Sequence, residues 1–195
     1  MTKLTRLGAS DYKRVRWKND GGWTTEIARE PAGEGDFRWR ISIADIESDG
    51  PFSAFPGVSR DLVLLAGNGI ELDIGNAPTQ RLTERFQRLH FEGEANVDCR
   101  LLAGPTRDFN VMARRDSVHA EVVARPLVGS MVLFAEPGVV WIAHVLSGHA
   151  QARADDASVD LATGDTLRID FEDQASGRVV IEGGGEIVLV KLAPA

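Results

Sequence analysis

The 195-residue sequence predicts an all-β fold built as two small jelly-roll barrels in one chain, and three observations carry that expectation. Apolar and polar residues alternate with a period of two in many short runs, and Gly, Pro, Asn or Asp punctuates most of the gaps. No stretch sustains the 3.6-residue period of an amphipathic helix. The third observation is an internal echo between the two halves of the chain, taken up below.

The first clear run is Arg38-Trp39-Arg40-Ile41-Ser42-Ile43, in which Trp39, Ile41 and Ile43 share one face and Arg38, Arg40 and Ser42 the other. Further strands are expected at 61–66, 70–74, 97–102, 109–113, 120–124, 139–146, 166–171, 178–181 and 186–192. The most apolar region, 127–146, is broken by Glu136-Pro137-Gly138, so it reads as two core strands joined by a turn. A membrane-spanning helix needs ~20 apolar residues without such a break. Gly67-Asn68-Gly69 and Gly183-Gly184-Gly185 read as hairpin turns, since neither follows a strand and opens a helix as a phosphate loop would.

The segment from Leu64 to Leu72, with Gly67 near its centre, is echoed by Val145 to Arg153 around Gly148, an offset of 81 residues. A repeat of this size suggests a duplicated supersecondary unit. The expected division is a first barrel over 1–115 and a second, mainly structural barrel over 116–195, with strands free to exchange between the halves.

Composition narrows the function classes. The formal charge is −7, and binding a polyanion requires clustered Lys and Arg, so nucleic acid is not an expected partner. The single cysteine, Cys99, allows no intrachain disulfide and reads as a small buried packing residue. The opening MTKLTRLGAS has no apolar core of a secretory signal, so a cytoplasmic location is expected, with no membrane partner. His90, His119, His144 and His149 form no His-x-His pair, and no metal or other cofactor is expected. No Gly-x-Ser-x-Gly elbow occurs, and no catalytic residue is assigned.

Two resemblances sharpen the picture. The apolar-apolar-x-Gly turn and the later Ala162-Thr163-Gly164-Asp165-Thr166-Leu167 resemble the strand-turn pattern of cupin barrels, which makes the duplicated form a bicupin. The segment WKNDGGWTTEIA, Trp17 to Ala28, resembles the WKNGGGxTxEI signature of the HutD family, the group that also contains the Ves proteins. Three more pieces of that pattern follow in order: Trp39 to Ala44, Asp49 to Arg60, and Asp98 to Pro105 with Asp108-Phe109-Asn110-Val111-Met112 behind it. Asp20 departs from the pattern, standing where the family has the first of three glycines. The resemblance implies a cytoplasmic bicupin of the histidine-utilisation pathway. It would bind a small intermediate such as N-formylglutamate in a regulatory rather than catalytic role.

The residues themselves suit a small anionic ligand. Lys18, Arg40 and Arg60 supply cations, while Asn19, Ser42, Ser53 and Asn110 supply neutral hydrogen-bonding groups; Glu26 and Asp108 add carboxylates. Gly21 and Gly22 would let backbone approach a ligand closely, and Thr24 falls in the same motif. Purely structural pairings are the competing expectation: Lys18 with Glu26 across a hairpin, and Arg40 or Arg60 with Asp98 or Asp108. Two other functions stay open. One is a metal-independent cupin isomerase or lyase with Glu26 or His90 as general acid or base. The other is an interaction scaffold, with the aromatic segment Phe52 to Gly57 either covering the barrel mouth or lying buried in a homodimer.

Overall fold

The computed structural model describes residues 1–171 and 177–195. In chain order its elements are β1 (Thr2–Leu7), a 3-10 turn (Ala9–Asp11), β2 (Lys13–Arg16), β3 (Gly22–Glu30), β4 (Trp39–Ile46), β5 (Gly50–Pro51), β6 (Val58–Ala66), β7 (Ile70–Ile74) and β8 (Gln80–Leu82). There follow β9 (Arg88–Glu92), β10 (Val97–Leu101), β11 (Thr106–Arg114), β12 (Val118–Phe134), β13 (Val140–Ala154), β14 (Ala157–Ala162), β15 (Thr166–Phe171) and β16 (Arg178–Pro194). The fold is all-β, as the period-two runs require, and none of its described helices is long and apolar enough to cross a membrane.

Two compact units divide the chain, Tyr12–Val118 and Met1–Asp11 with His119–Ala195. In the first, a six-stranded sheet of order β2-β3-β4-β11-β6-β9 and a four-stranded sheet of order β5-β10-β7-β8 share one apolar core. Ala44, Ile46, Leu62 and Leu64 enter it from the larger sheet, and Ile70, Leu72, Val97 and Cys99 from the smaller. The opposite face of the larger sheet is also buried, at Trp39, Ile41, Phe109 and Val111. With both faces of β4 covered, the polar set Arg40 and Ser42 points into the barrel.

In the second unit the sheet order is β1-β15-β13-β16-β12, with β14 on β13. Its core includes Ala143, Val145, Leu167, Ile169, Ile181 and Ile187. Residues 1–11 therefore lie with the C-terminal segment, not in a first barrel spanning 1–115. The reason is the β1–β15 ladder, which runs from Thr2 opposite Phe171 to Leu7 opposite Thr166. Arg6 reinforces it, donating from Nε and Nη2 to the Asp165 carboxylate at 3.0 and 3.1 Å.

The expected strands 178–181 and 186–192 are one continuous strand, β16, so Gly183-Gly184-Gly185 is not a hairpin turn. These glycines face Ala150, His149 and Gly148 of β13, and a Cβ on Gly183 or Gly185 would overlap the carbonyl of His149 or Ser147. Close backbone approach excludes any side chain there. Gly148, expected in a turn, lies inside β13 beside a register shift between Val145 and Ser147. Its counterpart Gly67 does sit in a turn, between β6 and β7.

Candidate functional site

The WKNDGGWTTE segment forms the loop of the β2–β3 hairpin and the first half of β3. Trp17 N donates to Gly22 O at 3.0 Å and Asp20 N to Trp17 O at 3.1 Å, closing the turn. Asn19 Oδ1 accepts from Gly21 N at 3.1 Å, the local side-chain turn that Asn favours. Trp17 Nε1 donates to Thr24 Oγ1 at 2.8 Å, and the indole meets Phe52 edge-on at 6.3 Å between centroids. The loop thus sets an aromatic wall at one side of the barrel mouth.

Register sets the floor. Met112 of β11 lies opposite Arg40 of β4 and Arg60 of β6, so the two arginines share one cross-strand row, with their Cα atoms about 10 Å apart at two strand spacings. The next row inward holds Glu26, Ser42, Asn110 and Leu62. The row beyond holds Thr24, Ala44, Asp108 and Leu64. A cavity of about 680 Å³ opens above these rows, bounded at its rim by Trp17, Phe52 and Phe55.

Arg60 is the electrostatic centre of this cavity. It is 6 % exposed, its guanidinium has no carboxylate partner among the described residues, and its Nε makes no hydrogen bond. Nη1 donates only to Ser53 O, at 3.4 Å, while the rings of Phe91, Phe52 and Phe55 surround the group at 4.9, 5.3 and 5.7 Å. Burial, with the Arg40 charge added, pulls its pKa down to about 10, so it remains cationic near neutrality. Asn110, 7 % exposed, leaves Oδ1 unpartnered as well. Buried polar groups are ordinarily satisfied, and here a guanidinium Nε and an amide Oδ1 lining one cavity are not.

Comparison with known proteins places this architecture. The HutD family model matches residues 9–189. The chain belongs to the HutD family. It is 36% identical over 195 residues to an uncharacterized 21.2 kDa protein in the hutC 3′ region of Pseudomonas putida, covering 98% of each chain. HutD from Pseudomonas fluorescens SBW25 superposes with a TM-score of 0.83 at 30% identity, covering 99% of this chain and 100% of that one. The bacterial pirin YhhW from Escherichia coli, solved in complex with nickel(II), shares the fold at a TM-score of 0.72 and 10% identity, covering 99% and 100%. The fold is the bicupin that the turn pattern implies.

Within this HutD-family chain, eight residues singled out from sequence line the cavity: Lys18, Asn19, Thr24, Arg40, Ser42, Ser53, Arg60 and Asn110. Gly21, Gly22 and Glu26 do not. Gly22 packs its backbone on β4, where a Cβ would overlap Asp45 O, so it serves the hairpin. Glu26 pairs with Arg40, Oε2 to Nε at 2.8 Å, and lies 4.0 Å from Arg29. That contact counts as an ion pair only, because Arg40 Nε is not aligned for a hydrogen bond. Among the described residues Lys18 has no ion pair, and Arg40 and Arg60 pair with neither Asp98 nor Asp108. The apolar walls, Val15, Ile46, Leu62 and Met112 among them, were not foreseen; the register that joins them is not written in any one segment.

Asp108 lies fully buried one step below Asn110, accepting from Thr106 Oγ1 at 3.1 Å, and burial pushes its pKa up to about 7. Nearby, burial together with the Asp108 charge raises the Cys99 thiol to about 12, which keeps it an inert packing group. His90 faces away from the cavity, on the other face of β6–β9, with Nδ1 3.1 Å from Asp61 Oδ1. In the second unit, His144 is buried with Nδ1 2.8 Å from Thr166 Oγ1, and desolvation lowers its pKa to about 4. Among the described residues no three or more His, Cys, Asp and Glu side chains converge as metal ligands.

Proposed function

We propose that the cavity of the Tyr12–Val118 unit binds a small carboxylate-bearing metabolite, and that this HutD-family protein is a cytoplasmic sensor of a histidine-utilisation intermediate. N-formylglutamate is the first candidate. The observation that carries the reading is Arg60, a buried cation with no acidic partner among the described residues, lining a cavity that also holds the unpartnered Asn110 Oδ1. Leaving a buried charge uncompensated is costly, and a ligand carboxylate accepting from the guanidinium removes that penalty on binding. Lys18 at the exposed mouth adds a second cation, unpaired among the described residues and suited to steering an anion inward.

A binding role fits this site better than catalysis. Glu26 is engaged with Arg40 and does not line the cavity, and His90 lies on the other face of the sheet, so neither stands where a general base would meet ligand. The test is calorimetric titration of the protein with N-formylglutamate, glutamate, urocanate and histidine in parallel. Saturable binding of N-formylglutamate that disappears in Arg60→Met and weakens in Lys18→Ala supports the sensor. Absence of heat with all four ligands, from a folded protein, would sink it.

A further inference from the structure

We infer that Glu26 is the pocket's own counter-anion, a residue that limits how tightly ligand anions bind instead of contacting them. This rests on the anion-binding reading above.

On β3 and β4 the register sets Arg29 directly opposite Arg40, a like-charge pair that is unfavourable by itself. The register shift between Glu26 and Ala28 lets the Glu26 carboxylate reach toward both, at 4.0 and 2.8 Å. Burial depresses the pKa of Arg60 and the Arg40 charge lowers it further, so these two guanidiniums share one field. Arg29, Arg40 and Arg60 with Glu26 sum to a formal +2, while the exposed Lys13–Glu34 pair beside Glu26 and Arg29 sums to zero.

Two details separate charge compensation from positioning. Arg29 is held without Glu26: Nη2 donates to Gly35 O and the guanidinium lies 5.5 Å from the Phe37 ring. Arg40 receives from Glu26 a close charge but no aligned hydrogen bond at Nε, so the carboxylate does little to orient the fork. Arg40 lines the cavity while Glu26 does not, so an incoming anion and Glu26 compete electrostatically for the same guanidinium from different sides.

Removing the carboxylate while keeping its shape therefore raises the positive potential felt by a ligand. Glu26→Gln should bind anions about tenfold more tightly at low ionic strength, and the gain should shrink as salt screens the field. Glu26→Asp, which keeps the charge, should stay at the wild-type affinity. The experiment titrates wild type, Glu26→Gln and Glu26→Asp with N-formylglutamate and with inorganic sulfate, at two salt concentrations, with folding checked by circular dichroism. Tighter binding of either anion by folded Glu26→Gln, including binding where wild type is silent, supports the inference. Equal or weaker binding, alongside a wild type that binds, overturns it and leaves the sensor standing. Silence of all three proteins with both anions overturns both.

Discussion

Arg40 and Arg60 stand on either side of Met112 in a single cross-strand row, yet among the described residues only Arg40 has a carboxylate beside it. The difference divides their roles. Arg40 has the Glu26 carboxylate beside it, whereas Arg60 is held by three aromatic rings and a long contact to a carbonyl. Aromatic faces attract a cation but do not satisfy its N–H donors.

Arg60→Met should accordingly separate stability from binding. Met fills a comparable space among Phe52, Phe55 and Phe91, makes favourable sulfur–aromatic contacts, and removes a buried charge that no partner neutralises. The urea midpoint should hold or rise. Anion affinity should fall by about 100-fold or more, because the fully desolvated charge contact is lost. Equilibrium unfolding and calorimetry on the same sample check both halves; a variant that unfolds readily would make Arg60 a structural residue.

The glycine pair separates in the same way. A Cβ on Gly22 would overlap the Asp45 backbone, which cannot yield without breaking the β3–β4 ladder, so Gly22→Ala should destabilise the unit by ~2 kcal/mol or more. At Gly21 the nearest atoms are the Ser48 hydroxyl at 3.1 Å and the Asn19 amide at 3.2 Å, both side chains that can shift. Gly21→Ala should be milder than Gly22→Ala in thermal denaturation. The reverse order would contradict this assignment of roles.

Asp20 occupies φ 57°, a left-handed conformation that Asp tolerates and Gly adopts freely. Its side chain is largely exposed, contributes only a 3.4 Å pair with Arg16, and does not line the cavity. Asp20→Gly, which restores the family pattern, should leave ligand affinity unchanged and shift stability by less than ~1 kcal/mol. A drop in affinity measured by titration would place Asp20 in the site after all.

Strand periodicity made the fold class and most central strands legible, with β7 and β15 matching their expected bounds. It missed β1, whose Leu4 and Leu7 are three residues apart, and β3, whose Gly-Trp-Thr-Thr-Glu start shows no alternation. It also left open where the polar face of β4 points. Alternation distinguishes two faces but not inside from outside, and Arg40 with Ser42 turns inward because Trp39 and Ile41 are buried on the other side too. The cationic residues of the site were found through the family motifs. Their grouping in rows and the pairing of Glu26 with Arg40 depend on contacts between distant segments, whereas Phe52 and Phe55 at the cavity are one of the two placements expected for that aromatic segment.

The buried carboxyl beneath the floor gives the unit a pH dependence of definite sign. Asp108 is fully buried, burial raises its pKa to about 7 against the hydrogen bond from Thr106, and the Asp45 charge adds to the rise. The folded state therefore holds a proton that the unfolded chain releases near pH 4. The stability gained from that proton is complete below about pH 4 and is lost progressively as pH rises through about 7, on the order of 4 kcal/mol in all. His144 runs the other way: its folded pKa near 4 makes its contribution complete above pH 6.5 and lost as pH falls through about 4. Above pH 6.5 the His144 contribution is constant, and the buried Cys99 thiol, whose raised pKa acts in the same direction toward pH 9, is common to wild type and variant, so the difference between the two proteins reports Asp108. Asp108→Asn keeps the shape and a donor for the core while removing the ionisation, so urea unfolding at pH 6.5 and pH 8.5 should show wild type losing stability across that interval and the variant holding level. Equal slopes in the two proteins would mean that Asp108 is ionised in the folded state throughout, and that the unpartnered Oδ1 is compensated by another route.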